Sequence, residues 1–403
     1  MRILMVTDVY FPRVNGVSTS IRTFRRELQA VGHHVTLIAP DYATRSADET
    51  DIIRIPSRSV PRDPEDRMMR RAQIDKLLPM LRDLRFDVIH IQTPFIAHYA
   101  GLHLARALKI PVIESYHTFF EEYLYHYVPL VPRAVMRWVA RHFTVNQCNA
   151  VNQVIAPSRA MHTALTEYGV TTPITIVPTG LETAQFTLGN GLRFRAQHGI
   201  AADTPVMLYV GRVAYEKNID FLLRAFKVVQ QQIPSALLLI VGEGPAVGHL
   251  QTLTTRLNLD NAVRFIGYLD RDTTLLDCYR AGDIFAFASR TETQGLVLLE
   301  ALAQGTPVVS TIHMGTKDVL EHAQGARIAS EEIEHFSQAA IALLQDKQAR
   351  LQLSQAAQND AARWSSKEMA ERLLKLYRHV IDAAAAPLVQ QHTPITHAHP
   401  DTR

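Results

Sequence analysis

The sequence predicts an α/β protein with two tandem domains, each built on a doubly wound parallel sheet. Short apolar runs of strand length alternate with segments of helical periodicity, which is the order typical of βα units. This alternation restarts near the middle of the chain, after a polar stretch that contains Gly189 and Gly191. The length of 403 residues also suits two or three domains of about 150 residues each.

The first domain is predicted over residues 1–180. It opens with a strand over 1–7, a loop that contains glycine, and a helix that extends to about Val31. Further strand-like runs follow at 34–40, 87–92 and 111–116. Each run is followed by polar or helical sequence, so we expect the strands to lie parallel.

An interdomain segment over 181–204 leads to a second domain over 205–363. Its strand-like runs are separated by helical periodicity and lie at 205–211, 236–242, 263–266, 284–289 and 306–310. An amphipathic helix is predicted over 364–382. The alanines, prolines and histidines of residues 383–403 are typical of a disordered tail, where histidines are solvated more often than metal-bound.

Composition excludes several classes of protein. Hydrophobic residues make up 47% and charged residues 20% of the chain, which excludes bulk disorder. The apolar runs fall short of the roughly 18 residues of a membrane-spanning helix, and the N-terminus reaches Asp8 before a signal peptide can form. Cys148 and Cys278 have neither zinc nor disulfide-framework spacing. We therefore expect a cytoplasmic protein.

The formal net charge of +3 is unevenly distributed. Residues 1–180 contain 21 Lys or Arg against 16 Asp or Glu, and the rest of the chain contains 21 against 23. The two parts therefore carry +5 and −2. This asymmetry indicates that the first half meets an anionic partner such as a lipid headgroup surface, unless it is incidental.

Four short motifs lie at predicted strand ends, where doubly wound sheets bind their ligands. In the first, Arg212 and Lys217 follow the strand at 205–211. A guanidinium holds phosphate oxygens as a planar fork and an ammonium acts as a point charge, so the pair suits a diphosphate. The alternative is two solvated surface cations.

The second motif places two carboxylates, Glu292 and Glu300, eight residues apart after the strand at 284–289. Glu292 lies in a loop and can face a hexose, and Glu300 lies about two turns into the next helix, where it can reach ribose hydroxyls. The amides of the helix start can approach phosphate or sugar, at Gly295, Leu296 and Val297. In the alternative, Glu292 caps the helix and Glu300 faces solvent.

The other two motifs belong to the first domain. Asn15 and Gly16 follow the first strand, and Gly16 permits close backbone approach where the next helix offers its amides. The pattern lacks the G-x-G-x-x-G of dinucleotide sites. His117 follows the strand at 111–116 and can hydrogen-bond a sugar hydroxyl, although an incidental histidine is the alternative in a chain with 18 of them.

Together these motifs resemble retaining glycosyltransferases of family 4. The resemblance covers nearly all of the chain before the tail and implies a GT-B fold, in which two Rossmann-like domains face a cleft and a C-terminal helix crosses back to the first domain. It implies that Arg212 and Lys217 bind the diphosphate, that Glu292 binds the donor hexose and Glu300 the ribose. It also implies that His117 binds the hexose near its 6-hydroxyl.

Two segments, 117–127 and 291–295, are similar to those of diacylglycerol glucosyltransferases within that family. This similarity implies transfer of glucose from UDP-glucose to diacylglycerol with retention of configuration. The chain departs from the family at 179–182, where Asn-Gly-Val-Asp is more common, and at Gln294, where many members have Phe.

No Asp-x-Asp pair directly follows a predicted strand, which indicates a donor site that needs no metal and no cofactor. Cations and helix amides would then stabilise the departing diphosphate. The sequence offers no obvious nucleophile. We therefore expect same-face attack by the acceptor hydroxyl, with the leaving phosphate as base.

The acceptor side contains a basic segment. Residues 123–157 have no Asp or Glu, while Arg133, Arg137 and Arg141 recur at every fourth position and form one stripe on a helix. Trp138 lies on the apolar flank. Such a helix suits the anionic inner face of the cytoplasmic membrane, and a core helix with a solvated arginine face is the alternative.

Three other functions stay open from the sequence. A GDP-mannose-dependent mannosyltransferase acting on a lipid or glycan is the first, and a nucleotide-sugar isomerase is the second. The third is a non-catalytic nucleotide-sugar-binding module. A nucleic-acid partner is disfavoured, because a net charge of +3 without an aromatic-interleaved basic patch gives a weak electrostatic footprint.

Overall fold

The computed structural model describes residues 1–42, 51–60, 63–117, 133–271 and 273–386. The strands of its first half are Arg2–Val6 (β1), His34–Pro40 (β2), Ile52–Ile55 (β3), Ser57–Val60 (β4), Asp63–Met69 (β5), Val88–Ile91 (β6), Val112–Ser115 (β7), Gln153–Ala156 (β8) and Ile174–Ile176 (β9). The helices are Gly16–Ala30 (α1), Arg71–Asp75 (α2), Leu78–Asp83 (α3), Ile96–Leu108 (α4), Arg133–Cys148 (α5) and Arg159–Tyr168 (α6).

The strands of the second half are Val206–Val210 (β10), Leu237–Val241 (β11), Val263–Gly267 (β12), Ile284–Phe287 (β13), Val308–Ser310 (β14) and Ala326–Ile328 (β15). The helices are Gly191–Gln197 (α7), Ile219–Gln232 (α8), Val247–Arg256 (α9), Thr274–Ala281 (α10), Leu296–Ala303 (α11), Thr316–Leu320 (α12), Ile333–Gln345 (α13), Lys347–Ala362 (α14) and Ser366–Ala385 (α15). Short 3₁₀ turns lie at Thr183–Phe186 and Tyr215–Lys217.

Two parallel sheets organise the chain. The first has the order β3-β2-β1-β6-β7-β8-β9 and the second β12-β11-β10-β13-β14-β15, while β4 and β5 form a separate antiparallel pair. Because successive side chains of a strand point to opposite faces, β1 contributes Leu4 and Val6 to the core under α4 and Ile3 and Met5 to the core under α1.

The order of the strands fixes where a ligand can bind. β1 lies between β2 and β6, and β10 lies between β11 and β13, so each sheet reverses its winding beside its first strand. At such a switch point the loops leaving two neighbouring strands diverge and open a crevice at their carboxyl ends. The loops after β10 and β13 carry Arg212, Lys217 and Glu292, which the sheet therefore brings together.

The C-terminal helix α15 crosses back to the first domain. Leu373 and Tyr377 are buried in the same core as Ile3 and Met5. Before the crossing, the Leu181 N–H donates to the carbonyl of Trp364 at 2.7 Å and the Ser366 N–H donates to the carbonyl of Leu181 at 2.9 Å. The two chain segments that connect the domains are thus hydrogen-bonded to each other.

The predicted strands and the two-domain α/β architecture are confirmed, with strand ends displaced by at most two residues. The sequence analysis missed β3, β8, β9 and β15, which are short, and the hairpin of β4 and β5. The predicted tail was wrong at its start, because alanines extend α15 to Ala385; residues 387–403 lie outside the described part. Segment 181–204 contributes Phe194 and Ile200 to the core of the second domain.

Candidate active site

The loop after β10 places a cation at the switch point of the second sheet. The ammonium Nζ of Lys217 lies 2.8 Å from Oε2 of Glu292, and both side chains are about four-fifths buried, with 19% exposed. Arg212 precedes Lys217 in this loop, and its carbonyl accepts a hydrogen bond at 3.0 Å from the buried hydroxyl of Tyr209. The first two motifs of the sequence analysis therefore meet in space.

The loop between β13 and α11, residues 288–295, is here called the Glu292 loop. The carbonyl of Glu292 accepts a hydrogen bond from the Gly315 N–H at 2.8 Å. Gly295 is the N-cap of α11 and has a φ of 95°, a left-handed conformation that favours glycine. The first amides of α11, at Leu296 and Val297, follow this turn and have no partner within the helix, so their predicted contact with phosphate or sugar stays a prediction.

Glu300 lies on α11 and is buried, so the interpretation in which it faces solvent is wrong. The hydroxyl of Tyr279 donates to Oε2 of Glu300 at 2.8 Å. Oε1 accepts a hydrogen bond from the guanidinium of Arg271 and another, at 3.3 Å, from the Gln185 amide. Three donors from three elements hold this carboxylate in place, and the sequence analysis named none of them.

Asn15 and Gly16 start helix α1. The side chain of Asn15 accepts from the Ser18 N–H at 2.8 Å, and the Ser18 hydroxyl accepts from the Asn15 N–H at 2.9 Å, which is a capping box. A Cβ added at Gly16 would meet no described atom within 4 Å. Neither the φ angle nor packing against described atoms requires glycine at this position. The space beside Gly16 is open, which would allow the close approach of a ligand.

His117 lies at the carboxyl end of β7. Burial lowers the pKa of its imidazole to about 4, so the ring is neutral at physiological pH. Its Nε2 lies 3.3 Å from Oε1 of Gln92. A neutral imidazole has one donor and one acceptor nitrogen, which suits the sugar hydroxyl predicted as the partner of this residue.

Asp8, which the sequence analysis treated only as the end of the first strand, has a structural role beside the crevice. Its carboxylate accepts from the Thr93 hydroxyl at 2.8 Å and from the Ala97 N–H at 3.1 Å, which fixes the first turn of α4. Burial raises the pKa of this carboxyl to about 6. An acid at the end of an apolar run was visible in the sequence, but its partner helix was not.

Glu331 connects three loops at the edge of the second sheet. Its carboxylate accepts hydrogen bonds from Arg290 and, at 3.0 Å, from the side-chain amide of Asn218, and it lies 3.2 Å from Nε2 of His313. Arg290 holds the pKa of Glu331 below its usual range. Since Asn218 adjoins Lys217 and Arg290 lies in the Glu292 loop, this residue orients both parts of the site.

Helix α5 carries the predicted membrane-binding residues. Arg137 and Trp138 are exposed, as are Val135 and Val139, and the side of α5 that faces the domain consists of other residues such as Ala140. The apolar flank is therefore not in the core.

The guanidinium of Arg141 donates to the carbonyls of Glu167 and Tyr168, at the end of α6, at 2.6 and 3.0 Å. This contact gives Arg141 a role within the domain. The side chain of Arg133 lies outside the described part.

Among the described residues, no helix combines the length and apolarity needed to cross a bilayer. Their His, Cys, Asp and Glu side chains form no group of three or more that could hold a metal ion.

The chain matches two family models in succession. Residues 14–185 match the model described as Glycosyltransferase Family 4, and residues 192–360 match Glycosyl transferases group 1. The chain is 37% identical to the alpha-monoglucosyldiacylglycerol synthase of Streptococcus pneumoniae, over 77% of this chain and 71% of the relative. It is 28% identical to the GDP-mannose-dependent alpha-mannosyltransferase of Mycobacterium tuberculosis, over 88% and 90%.

Solved structures share the fold at low identity. Anabaena HepE in complex with UDP superposes with a TM-score of 0.73 at 18% identity, covering 94% of this chain and all of that one. Sucrose-phosphate synthase from Thermosynechococcus elongatus gives 0.76 at 21% identity, covering 95% and 100%. The predicted GT-B architecture, with two Rossmann-like domains, is thereby confirmed.

Proposed function

The chain belongs to glycosyltransferase family 4, and from this premise we propose that it transfers glucose from UDP-glucose to the free hydroxyl of membrane diacylglycerol. The observation that carries the proposal is the contact between Lys217 and Glu292, next to Arg212. A cation that suits phosphate and a carboxylate that suits sugar hydroxyls lie within one hydrogen bond of each other. In a nucleoside diphosphate hexose, a phosphate group and the sugar hydroxyls likewise lie next to each other.

The second domain supplies most of the proposed donor site. Arg212, Lys217 and the first amides of α11 offer positive charge to the diphosphate. Glu292 accepts hydrogen bonds from the hexose, and Glu300, held by Tyr279, accepts them from the ribose. The relative named as a glucosyldiacylglycerol synthase supports glucose as the sugar and diacylglycerol as the acceptor.

The proposed reaction exchanges one bond at the anomeric carbon. The bond from that carbon to the diphosphate oxygen breaks, and the electron pair leaves with the diphosphate. The acceptor hydroxyl attacks from the same face, so configuration is retained, and its proton moves to a phosphate oxygen. Arg212 and Lys217 stabilise the charge that develops on the diphosphate, while neutral His117 accepts a hydrogen bond from the hexose.

We propose that donor binding depends on these cations and amides and needs no metal ion. The positive charge of Arg212 and Lys217 matches the two charges of the diphosphate. Transfer measured with and without EDTA tests this point. A loss of activity in EDTA that Mg²⁺ restores would contradict it.

The membrane surface is the proposed partner of α5, at the inner face of the cytoplasmic membrane. Trp138 is 65% exposed and has Val135, Val139 and Arg137 beside it. An exposed aromatic on a basic helix inserts at a lipid interface and gains electrostatic attraction from anionic headgroups. Trp138→Ser should reduce flotation with anionic liposomes, whereas Leu192→Ser, which removes an apolar side chain 68% exposed in the second domain, should not.

The decisive experiment supplies purified protein with UDP-glucose or GDP-mannose and with liposomes that contain or lack diacylglycerol. Nucleotide release and lipid products are followed by mass spectrometry. We expect hexosyl-diacylglycerol from UDP-glucose only, lost in Glu292→Gln and kept in the control Glu368→Gln, which alters an exposed ion pair on α15. Release of nucleotide without a lipid product would refute diacylglycerol as the acceptor.

A mannosyltransferase that uses GDP-mannose is the second candidate. It is favoured by the 28% identity to the mycobacterial mannosyltransferase over 88% of this chain. The same experiment separates the two, because each donor is supplied alone. A mannosylated product from GDP-mannose, and none from UDP-glucose, would establish the second candidate.

A further inference from the structure

Gln294, in the Glu292 loop, makes a two-point contact with the interdomain linker, here defined as residues 177–182. Its Oε1 accepts from the Thr179 N–H at 2.8 Å, and its Nε2 donates to the Thr179 carbonyl at 2.6 Å. In extended backbone these two groups of one residue point to the same side, so the carboxamide pairs with the linker as a neighbouring strand would.

Thr179 continues this contact into the first domain. Its hydroxyl donates to the hydroxyl of Ser20 at 2.7 Å, and Ser20 lies on α1, one turn after Gly16. Gln294, Thr179 and Ser20 are 5%, 4% and 1% exposed. A buried series of three hydrogen bonds therefore joins the Glu292 loop of one domain to the start of α1 in the other.

Another contact between the domains has different properties. Arg159, at the start of α6, donates its N–H to Asp318 at 2.6 Å. Its guanidinium lies 3.2 Å from Asp318 and 3.0 Å from Glu321, on or next to α12, but this side chain is 59% exposed. Exposed ion pairs are screened by salt and water and constrain geometry weakly. A buried amide that satisfies both a donor and an acceptor fixes direction as well as distance. The Gln294 contact is therefore the more specific of the two.

We propose that Gln294 is a positioning residue that sets the separation of the two domains across the donor site. This inference rests on the proposed function only in taking the crevice as the place of transfer. UDP itself needs Arg212, Lys217 and Glu300, which all belong to the second domain. The hexose and acceptor must in addition meet groups of the first domain, such as His117, so the separation of the domains affects transfer more than UDP binding.

The test uses Gln294→Met, which keeps the length of the side chain and removes both hydrogen bonds. We expect kcat to fall by about tenfold or more, as for misplacement of reacting groups by about 1 Å, while the Kd of UDP changes by less than about threefold. Small-angle X-ray scattering should give a broader distribution of interdomain distances for the variant. A kcat within twofold of the original, or an unchanged distance distribution in a folded variant, would overturn the proposal.

Thr179→Val provides a second variant if Gln294→Met does not fold. It removes only the hydroxyl contact to Ser20, and Thr179→Ser should restore it. We expect kcat to fall in Thr179→Val and to recover in Thr179→Ser. Asp318→Asn, which weakens the exposed contact to Arg159, should change kcat little. Equal losses in the Val and Ser variants would contradict the proposal.

Failure of the proposed function can be distinguished from failure of the positioning role of Gln294. If the original protein forms no glycolipid, the scattering distributions and the UDP affinities still test Gln294, since neither measurement needs an acceptor. A broadened distribution with unchanged UDP affinity would then support the positioning role even though the acceptor is wrong.

Discussion

Removing the hydroxyl of Tyr279 tests how Glu300, the carboxylate proposed to bind ribose, is held. Tyr279 is fully buried on α10, and its hydroxyl donates to Oε2 of Glu300 at 2.8 Å. Burial raises the pKa of Tyr279 above its usual range, so the phenol stays protonated and remains a donor. Tyr279→Phe keeps the ring and its contact with Phe285 and deletes this one bond.

The structure indicates the size of the effect. A hydrogen bond to a charged acceptor contributes about 1.5–3 kcal/mol to folding. Glu300 keeps its contacts with Arg271 and Gln185, so the carboxylate stays in place but is less restrained. We therefore expect the free energy of unfolding to fall by about 1.5–3 kcal/mol and UDP affinity to fall by less than about tenfold.

Urea denaturation measures the first quantity and isothermal titration with UDP the second. Tyr377→Phe is the matched control, because the hydroxyl of Tyr377 lies 2.6 Å from Nδ1 of His90 in the core of the first domain, whereas the groups proposed to bind UDP belong to the second domain. Burial lowers the pKa of His90 to about 3, so this bond joins two neutral groups and contributes about 0.5–1.5 kcal/mol. Its loss should leave UDP affinity unchanged.

Two outcomes would refute the reasoning. Equal destabilisation in both variants would mean that the charge of the acceptor does not set the strength of the bond. Unchanged UDP affinity in Tyr279→Phe, with the expected loss of stability, would mean that the Tyr279 hydrogen bond is not needed for Glu300 to bind the nucleotide.

Three further predictions concern other buried or paired groups. Burial raises the pKa of Asp8 from 3.8 to about 6, so the ionised form opposes folding at high pH and the penalty disappears as the pH falls through 6 towards 4. The stability of Asp8→Asn relative to the original protein, measured by urea denaturation, should therefore rise by about 3 kcal/mol from acid to alkaline pH; a difference independent of pH would contradict this. His117 is neutral above about pH 5, so His117→Gln should lower kcat/KM without changing the shape of its pH profile between about pH 5 and 8. If an acid limb of the original profile disappeared in the variant, His117 would titrate in this range and the prediction would be wrong. Glu331→Gln should raise the donor KM about two- to fivefold, the effect of an ion pair with an exposed arginine, whereas Glu368→Gln should leave it unchanged.

The sequence was sufficient to predict those parts of the site that depend on sheet topology. Arg212, Lys217 and Glu292 follow strands, and the order of parallel strands brings their loops to one crevice. The partners of Glu300 were not predictable, because Gln185 comes from the segment after the linker and Arg271 from the loop after β12. Pattern along the chain fixes which strand a residue follows, but not which loop of another element packs over it.

The fold was predictable for a similar reason. The prediction of strands failed where the apolar pattern along the chain was weak. Strands buried on both faces, such as β10 and β11, are continuous apolar runs. Strands of three or four residues at the sheet edges, such as β9 and β15, are partly exposed and too short to show a period. The burial of Gln294 against the linker also left no trace in the sequence beyond an unusual residue in a known motif.

The position of α15 has a consequence for how the protein is made. The first domain emerges from the ribosome with one face of its sheet, including Ile3 and Met5, facing the place that α15 will occupy. Residues 181–365 lie between the first domain and α15, and at about 5–20 residues per second their synthesis takes roughly 10–40 seconds. During this time the nascent domain has α1 on this face but lacks the apolar side chains of α15, such as Leu373 and Tyr377. The core under α1 is therefore completed only after the second domain has been made.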